Sequence, residues 1–165
     1  MTRVAVLGTG RMGGAIGRRL AASGFDLIVW DRTPAKAQGL NVGPVARTPA
    51  EAIHDADIAI SSLTNAAAVR DVYLGPQGAF GTSDRPLFVE MSTAGPESIE
   101  QLSREARTRG LRLLEAPVIG SAPPSRAGPL PCSSLAPHKI SRRRAPSWSS
   151  SAKSTTSEVS GARPG

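Results

Sequence analysis

The chain of 165 residues contains a single cysteine, Cys132, and no apolar run long enough to cross a bilayer. A lone thiol excludes a disulfide-stapled scaffold and any metal site built from several cysteines, and no metal site is expected. A spanning helix needs about 20 consecutive apolar residues, so a membrane partner is not expected either. The opening Met1-Thr2-Arg3-Val4-Ala5-Val6-Leu7-Gly8 lacks the apolar stretch and cleavage site of a secretory signal. A cytoplasmic location is therefore the expectation. Core-forming residues are scarce towards the C-terminus. Residues 129–165 hold ten Ser and five Pro but only four Val, Ile and Leu together.

The formal net charge of +7 follows the same division. Residues 1–128 carry 14 Lys and Arg against 12 Asp and Glu, whereas residues 129–165 carry six against one. Such basicity ordinarily points to a nucleic-acid or membrane partner. Here most of the excess lies in a stretch that cannot build a core, so nucleic acid is not the expected partner.

The first 128 residues alternate two periods. Val4 through Leu7 is a continuous apolar run bounded by Gly8 and Gly10, as a strand buried on both faces requires. Met12, Ile16 and Leu20 follow at helical spacing, stopping at Ser23-Gly24. Strands are read at residues 25–30, 58–60, 87–89 and 111–114, and helices at 66–73 and 97–109, the last ended by Gly110. Thr33-Pro34 and Thr48-Pro49 each read as an N-cap followed by Pro at the first helical position. Strands alternating with helices of this length predict an α/β fold with a doubly wound parallel sheet. The final 37 residues show neither period.

Gly8-Thr9-Gly10-Arg11-Met12-Gly13 fits G-x-G-x-x-G, after a strand and opening a helix. Gly8 permits the tight turn, Gly10 lets the backbone approach a pyrophosphate, and Gly13 allows close helix–strand packing. The plainer reading is a tight strand-to-helix turn. Asp31 stands at the end of the second strand, where a carboxylate accepts ribose hydroxyl hydrogens and favours NAD. Arg32, Thr33 and Lys36 follow at once and suit the 2′-phosphate of NADP, unless the two cations are simply solvated charges at a helix start. A dinucleotide is expected, and NAD and NADP both remain open.

Three further segments extend the pattern: Ile60-Ser61-Ser62-Leu63-Thr64-Asn65, Glu90-Met91-Ser92-Thr93-Ala94-Gly95-Pro96 and Glu115-Ala116-Pro117-Val118-Ile119-Gly120-Ser121 with Ala127-Gly128. With the glycine loop and Val29-Trp30-Asp31-Arg32-Thr33-Pro34, they resemble the β-hydroxyacid dehydrogenase family. That family includes 3-hydroxyisobutyrate dehydrogenase and the cofactor domain of 6-phosphogluconate dehydrogenase. The resemblance implies a Rossmann domain and hydride transfer between NAD(P) and a small 3-hydroxy acid. It places Leu63 and Thr64 in the loop after the family's fourth strand, beside the nicotinamide, and Thr93 on the cofactor. It places Ser92, Gly120 and Ser121 on the substrate carboxylate. Plainer roles are a helix N-cap for Ser92-Thr93 and a turn for Gly120-Ser121.

The chain also departs from the family. Ile119 stands where the family carries a hydroxyl residue, pointing to a different substrate or a divergent subgroup. The family's catalytic Lys lies in a G-x-x-x-K-x-x-N pattern that is absent here; Lys139 and Lys153 lack that context. The helical domain through which relatives dimerise is not recognisable. The expectation is a domain at 1–128, incomplete at its C-terminal edge, that binds cofactor weakly and is inactive alone. A non-catalytic dinucleotide-binding or regulatory module is the alternative.

Residues 129–165 have two readings. One is a native disordered tail with Arg142-Arg143-Arg144 as an anion-binding patch. The other is a frameshift. When each codon is rebuilt from the last base of one and the first two of the next, Pro131-Cys132 becomes Leu, Met or Val, and Cys132-Ser133 can become Leu or Phe. Pairs through Pro146-Ser147-Trp148-Ser149 allow P-V-L-V, and those from Ser151 to Val159 allow G-K-V-H-H-x-G-G. These shapes follow A-G-x-L in the family, and the frameshift is the favoured reading.

Overall fold

In the computed structural model the described residues are 1–117, within the first of two units of the chain, Met1–Arg126. They form a five-stranded, wholly parallel sheet: β1 (Arg3–Leu7), β2 (Asp26–Trp30), β3 (Ile58–Ser61), β4 (Leu87–Glu90) and β5 (Arg112–Glu115), in the order β2-β1-β3-β4-β5. Between them run α1 (Arg11–Ala22), α2 (Pro34–Gln38), α3 (Pro49–Ala52), α4 (Ala66–Leu74) and α5 (Pro96–Thr108). The doubly wound α/β fold expected from the alternating periods is the one observed.

Burial explains why β1 reads as an unbroken apolar run. Val4 through Leu7 are all buried, because β1 has strands on both edges and helices on both faces. Ala5 and Leu7 join a large core with Ile53, Val69, Tyr73, Phe80, Phe88 and Leu102. Val6 joins a smaller one with Val29, Ala37 and Leu40. The strands β2, β3 and β4 alternate buried and half-buried residues instead.

Several sequence boundaries shift. The last strand lies one residue later than residues 111–114, because Leu111 faces the core while its N–H closes the end of α5 on Ala106. A 3-10 turn, Ala79–Gly81, was not expected; it carries Phe80 inward against the α4 end. The Leu63-Thr64 loop, likened to one after a fourth strand, follows β3. The place of a third strand is taken by Val45, which makes only one parallel bridge with Val29 on the outer edge of β2. Thr48 caps α3 by accepting from Glu51 N at 3.0 Å, as expected. Thr33 occupies the N-cap of α2 without a side-chain cap bond, and its N–H is held by Asp31.

Tyr73, Phe80 and Phe88 pack edge to face, with ring centroids 4.9 to 5.9 Å apart. Phe88 is the fully buried phenylalanine of this trio. Phe88→Ala is expected to cost about 3–5 kcal/mol of folding stability, read from the urea unfolding midpoint; a loss below about 1 kcal/mol contradicts the packing described.

Candidate functional site

The site grows from the carboxyl ends of β1, β2 and β3, where the strand order reverses around β1. Parallel sheets of this kind open a crevice at that point. Gly8 leaves β1 at φ +92°, a conformation that side chains disfavour. A Cβ on Gly8 would lie 2.5 Å from the Ser62 carbonyl oxygen, and one on Gly13 would overlap the Gly8 carbonyl. Both glycines are therefore required by the packing of the chain on itself.

Gly10 differs. It has ordinary backbone angles, φ −62° and ψ −166°, and nothing lies within 4 Å of where its Cβ would stand. It caps α1 without a side-chain hydrogen bond. No side chain caps the first turn of α1 and the space beside Gly10 is open, as an anion site requires.

Asp31 organises this loop. Its Oδ2 accepts from Thr9 N at 2.8 Å and Thr9 Oγ1 at 3.0 Å, and its Oδ1 accepts from Thr33 N at 2.9 Å. The carboxylate thereby ties the glycine loop to the start of α2. Arg32, Thr33 and Lys36 are exposed beside it.

Among the described residues, a cavity of about 520 Å³ collects Gly8, Gly10, Asp31, Arg32, Thr33, Lys36, Leu63 and Thr64. Its remaining wall comes from Trp30, Pro49, Ser62 and the α4 side, including Ala68, Asp71, Val72 and Gln77. An adjoining open groove of about 450 Å³ is lined by Thr9, Gly10, Arg11 and Lys36 together with Arg18. Met12, Gly13, Ser92 and Thr93 line neither; Ser92 is buried and Thr93 exposed. Gly120 and Ser121, Lys139, Lys153 and the stretch 129–165 lie outside the described residues. No group of His, Cys, Asp and Glu able to hold a metal occurs among the described residues, and no described helix is long and apolar enough to cross a membrane.

A buried polar cluster beneath the loops was not anticipated. Glu90, fully buried at the end of β4, accepts from Ser61 Oγ at 2.5 Å and Ser92 N at 2.6 Å. Ser61 Oγ also lies 2.6 Å from the Tyr73 hydroxyl, and Ser92 Oγ accepts from Leu63 N at 2.8 Å. Ser92 therefore does not cap α5, whose N-cap is Gly95 with no side-chain bond. Burial first, and then the Glu90 charge, push the Tyr73 phenol well above its usual range, against a smaller lowering by its bond to Ser61.

With this geometry in view, the relatives can be placed. A family model described as the NAD binding domain of 6-phosphogluconate dehydrogenase matches residues 3–157. The chain belongs to that family. It is 34% identical over 133 residues to a 3-hydroxyisobutyrate dehydrogenase of Pseudomonas aeruginosa, covering 79% of this chain and 45% of that protein. It is 40% identical over 134 residues to the cytokine-like nuclear factor N-PAC of Danio rerio, covering 78% and 28%. The structure of a 3-hydroxyisobutyrate dehydrogenase of Mycobacterium tuberculosis with L-serine superposes with TM-score 0.68 at 30% identity, covering 74% and 42%. The chain thus spans less than half the length of these relatives. It is an NAD(P)-binding domain of the 6-phosphogluconate dehydrogenase type.

Two outcomes follow from the site. Gly10→Ala should fold with stability within about 1 kcal/mol of the parent yet lose dinucleotide binding, whereas Gly13→Ala should lower stability by several times more. Thermal unfolding beside NADPH titration of Trp30 fluorescence separates the two effects, and tight binding by folded Gly10→Ala contradicts the assignment. The second concerns the only tyrosine. Because folding raises the Tyr73 pKa, the folded protein keeps a proton that the unfolded chain releases above pH about 10. Stability should fall as pH rises past that point, and Tyr73→Phe should flatten the decline in the urea midpoint.

Proposed function

We propose that this domain is the cofactor half of an oxidoreductase that prefers NADP(H) and acts on a small 3-hydroxy acid. The observation that carries the preference is the engagement of Asp31. Its two oxygens already accept three hydrogen bonds from Thr9 and Thr33. Arg32, Thr33 and Lys36 are left to line the cavity with two cations and a hydroxyl, a donor set that complements a phosphate. On this reading the glycine loop, from Gly8 through Thr9, Gly10, Arg11 and Met12 to Gly13, holds the pyrophosphate on the α1 amides. Leu63, Thr64 and Thr93 border the rest of the cofactor, and Ser92 with Gly120 and Ser121 holds the substrate carboxylate. When bound, the nicotinamide accepts or delivers the hydride, and the protein's part is to orient it and exclude water.

The 165-residue chain is proposed to bind the cofactor without turnover. Of its three lysines, Lys36 lies at the start of α2 beside Asp31, and neither Lys139 nor Lys153 has the family's sequence context. The similarity to N-PAC supports a second reading, a dinucleotide-binding module without catalysis. A cytoplasmic setting belongs to the proposal, and imaging of a fluorescent fusion checks it.

The preference is tested with Arg32→Ala and Lys36→Ala. Each should weaken NADPH binding by about tenfold while leaving NADH binding within about twofold, as expected for loss of one charge-assisted contact. Equal losses for the two cofactors overturn the NADP reading. Incubation of the chain with NADP and 3-hydroxyisobutyrate should give no NADPH absorbance above background; steady formation overturns the claim of inactivity.

A further inference from the structure

We propose that Glu90 is a positioning residue that clamps the cofactor-facing loops after β3 and β4 to one another. The inference rests on the reading of the crevice as a dinucleotide site, but the clamp itself is a property of this chain's own residues. A buried carboxylate is costly unless donors surround it, and Glu90 has two of them at hydrogen-bond distance. Those donors come from different elements. Ser61 ends β3, and the Ser92 amide belongs to the loop after β4.

Proton bookkeeping gives the cluster a direction. A carboxylate only accepts, so Ser61 spends its single hydroxyl proton on Glu90 Oε2. Tyr73 must then donate to Ser61, and its raised pKa keeps it protonated for that purpose. On the other side, Ser92 gives its N–H to Glu90 Oε1 and receives the Leu63 N–H on its hydroxyl oxygen. Leu63 lines the cavity. The chain of bonds therefore runs from the core, through Glu90, to the backbone of the loop that borders the site.

Because the clamp is present without ligand, hydrogen exchange of the full chain tests it without cofactor. In Glu90→Ala the amides of Leu63 and Ser92 should exchange at least about tenfold faster, while those of Gly8 and Val29, held by β2 and the segment beyond it, stay unchanged. Uniform acceleration of all four, or none, overturns the clamp. NADPH titration of the same variants reads its consequence. Glu90→Ala should bind about tenfold more weakly, and Glu90→Gln, which keeps an oxygen for the Ser92 amide, should recover to within about threefold of the parent. Phe88→Leu serves as a variant that disturbs the neighbouring core but leaves the clamp; equal weakening in it and in Glu90→Ala reduces Glu90 to a structural role and overturns the proposal. If Glu90→Ala does not fold, Glu90→Asp carries both measurements, since a carboxylate one methylene shorter cannot span Ser61 and the Ser92 amide; parental exchange and affinity in Glu90→Asp overturn it. A parent chain that fails to bind NADPH removes the dinucleotide reading alone, while the exchange pattern still decides the clamp.

Discussion

The carboxyl end of the sheet depends on one close approach, where the Gly8 carbonyl occupies the space that a Gly13 Cβ would need and Ser62 occupies that of Gly8. Three elements, β1, α1 and the loop after β3, meet there backbone to backbone. Side chains at this junction would push α1 off the sheet by the width of a methyl group or more. The geometry that follows is fixed by covalent reach. With α1 seated, the amide and hydroxyl of Thr9 come within hydrogen-bond distance of Asp31, and Ser62 and Leu63 form the wall opposite the loop. The crevice is a consequence of glycine's missing side chain, and chemical selectivity is added around it.

The sheet and the glycine loop were legible because they obey periods and fixed offsets. Continuous apolar residues mark β1, which is buried on both faces, and the acidic residue at the end of β2 stands at the expected spacing. What escaped has no local signature. Val45 completes the outer edge of β2 with a single bridge, too short to show any period. Glu90 opens a segment read for its resemblance to the family, with no local mark of its burial, yet it is fully buried. Only the approach of Ser61 and the Ser92 amide, 29 residues before it and two after it, makes a carboxylate tolerable there. The cavity walls supplied by Pro49 and α4 are likewise products of tertiary packing, since apolar residues such as Ala68 and Val72 look the same whether they meet core or ligand.

The two halves of the crevice are held by different physics. On the β1 side, shape does the work: glycines permit contact, and the energy comes from burying strand and helix faces in two cores. On the β4 side, few apolar residues are available at the loop tips, and hydrogen bonds to a buried charge replace them. Bonds to a charged acceptor are worth about 1.5–3 kcal/mol each, more than neutral ones, and they are directional. Directionality matters here because a loop tip must hold an orientation as well as a place.

The same distinction changes how Asp31 is understood. A carboxylate at the end of the second strand is ordinarily taken as a reader of ribose hydroxyls. In this chain its acceptor capacity is largely consumed by Thr9 and Thr33, so its first task is to fasten the glycine loop to α2. On the proposed reading, discrimination between the two dinucleotides then falls to Arg32 and Lys36, which line the cavity beside it. Removing Asp31 would accordingly disturb the loop and the selectivity together, whereas its two cationic neighbours can be altered without loosening the junction that builds the crevice.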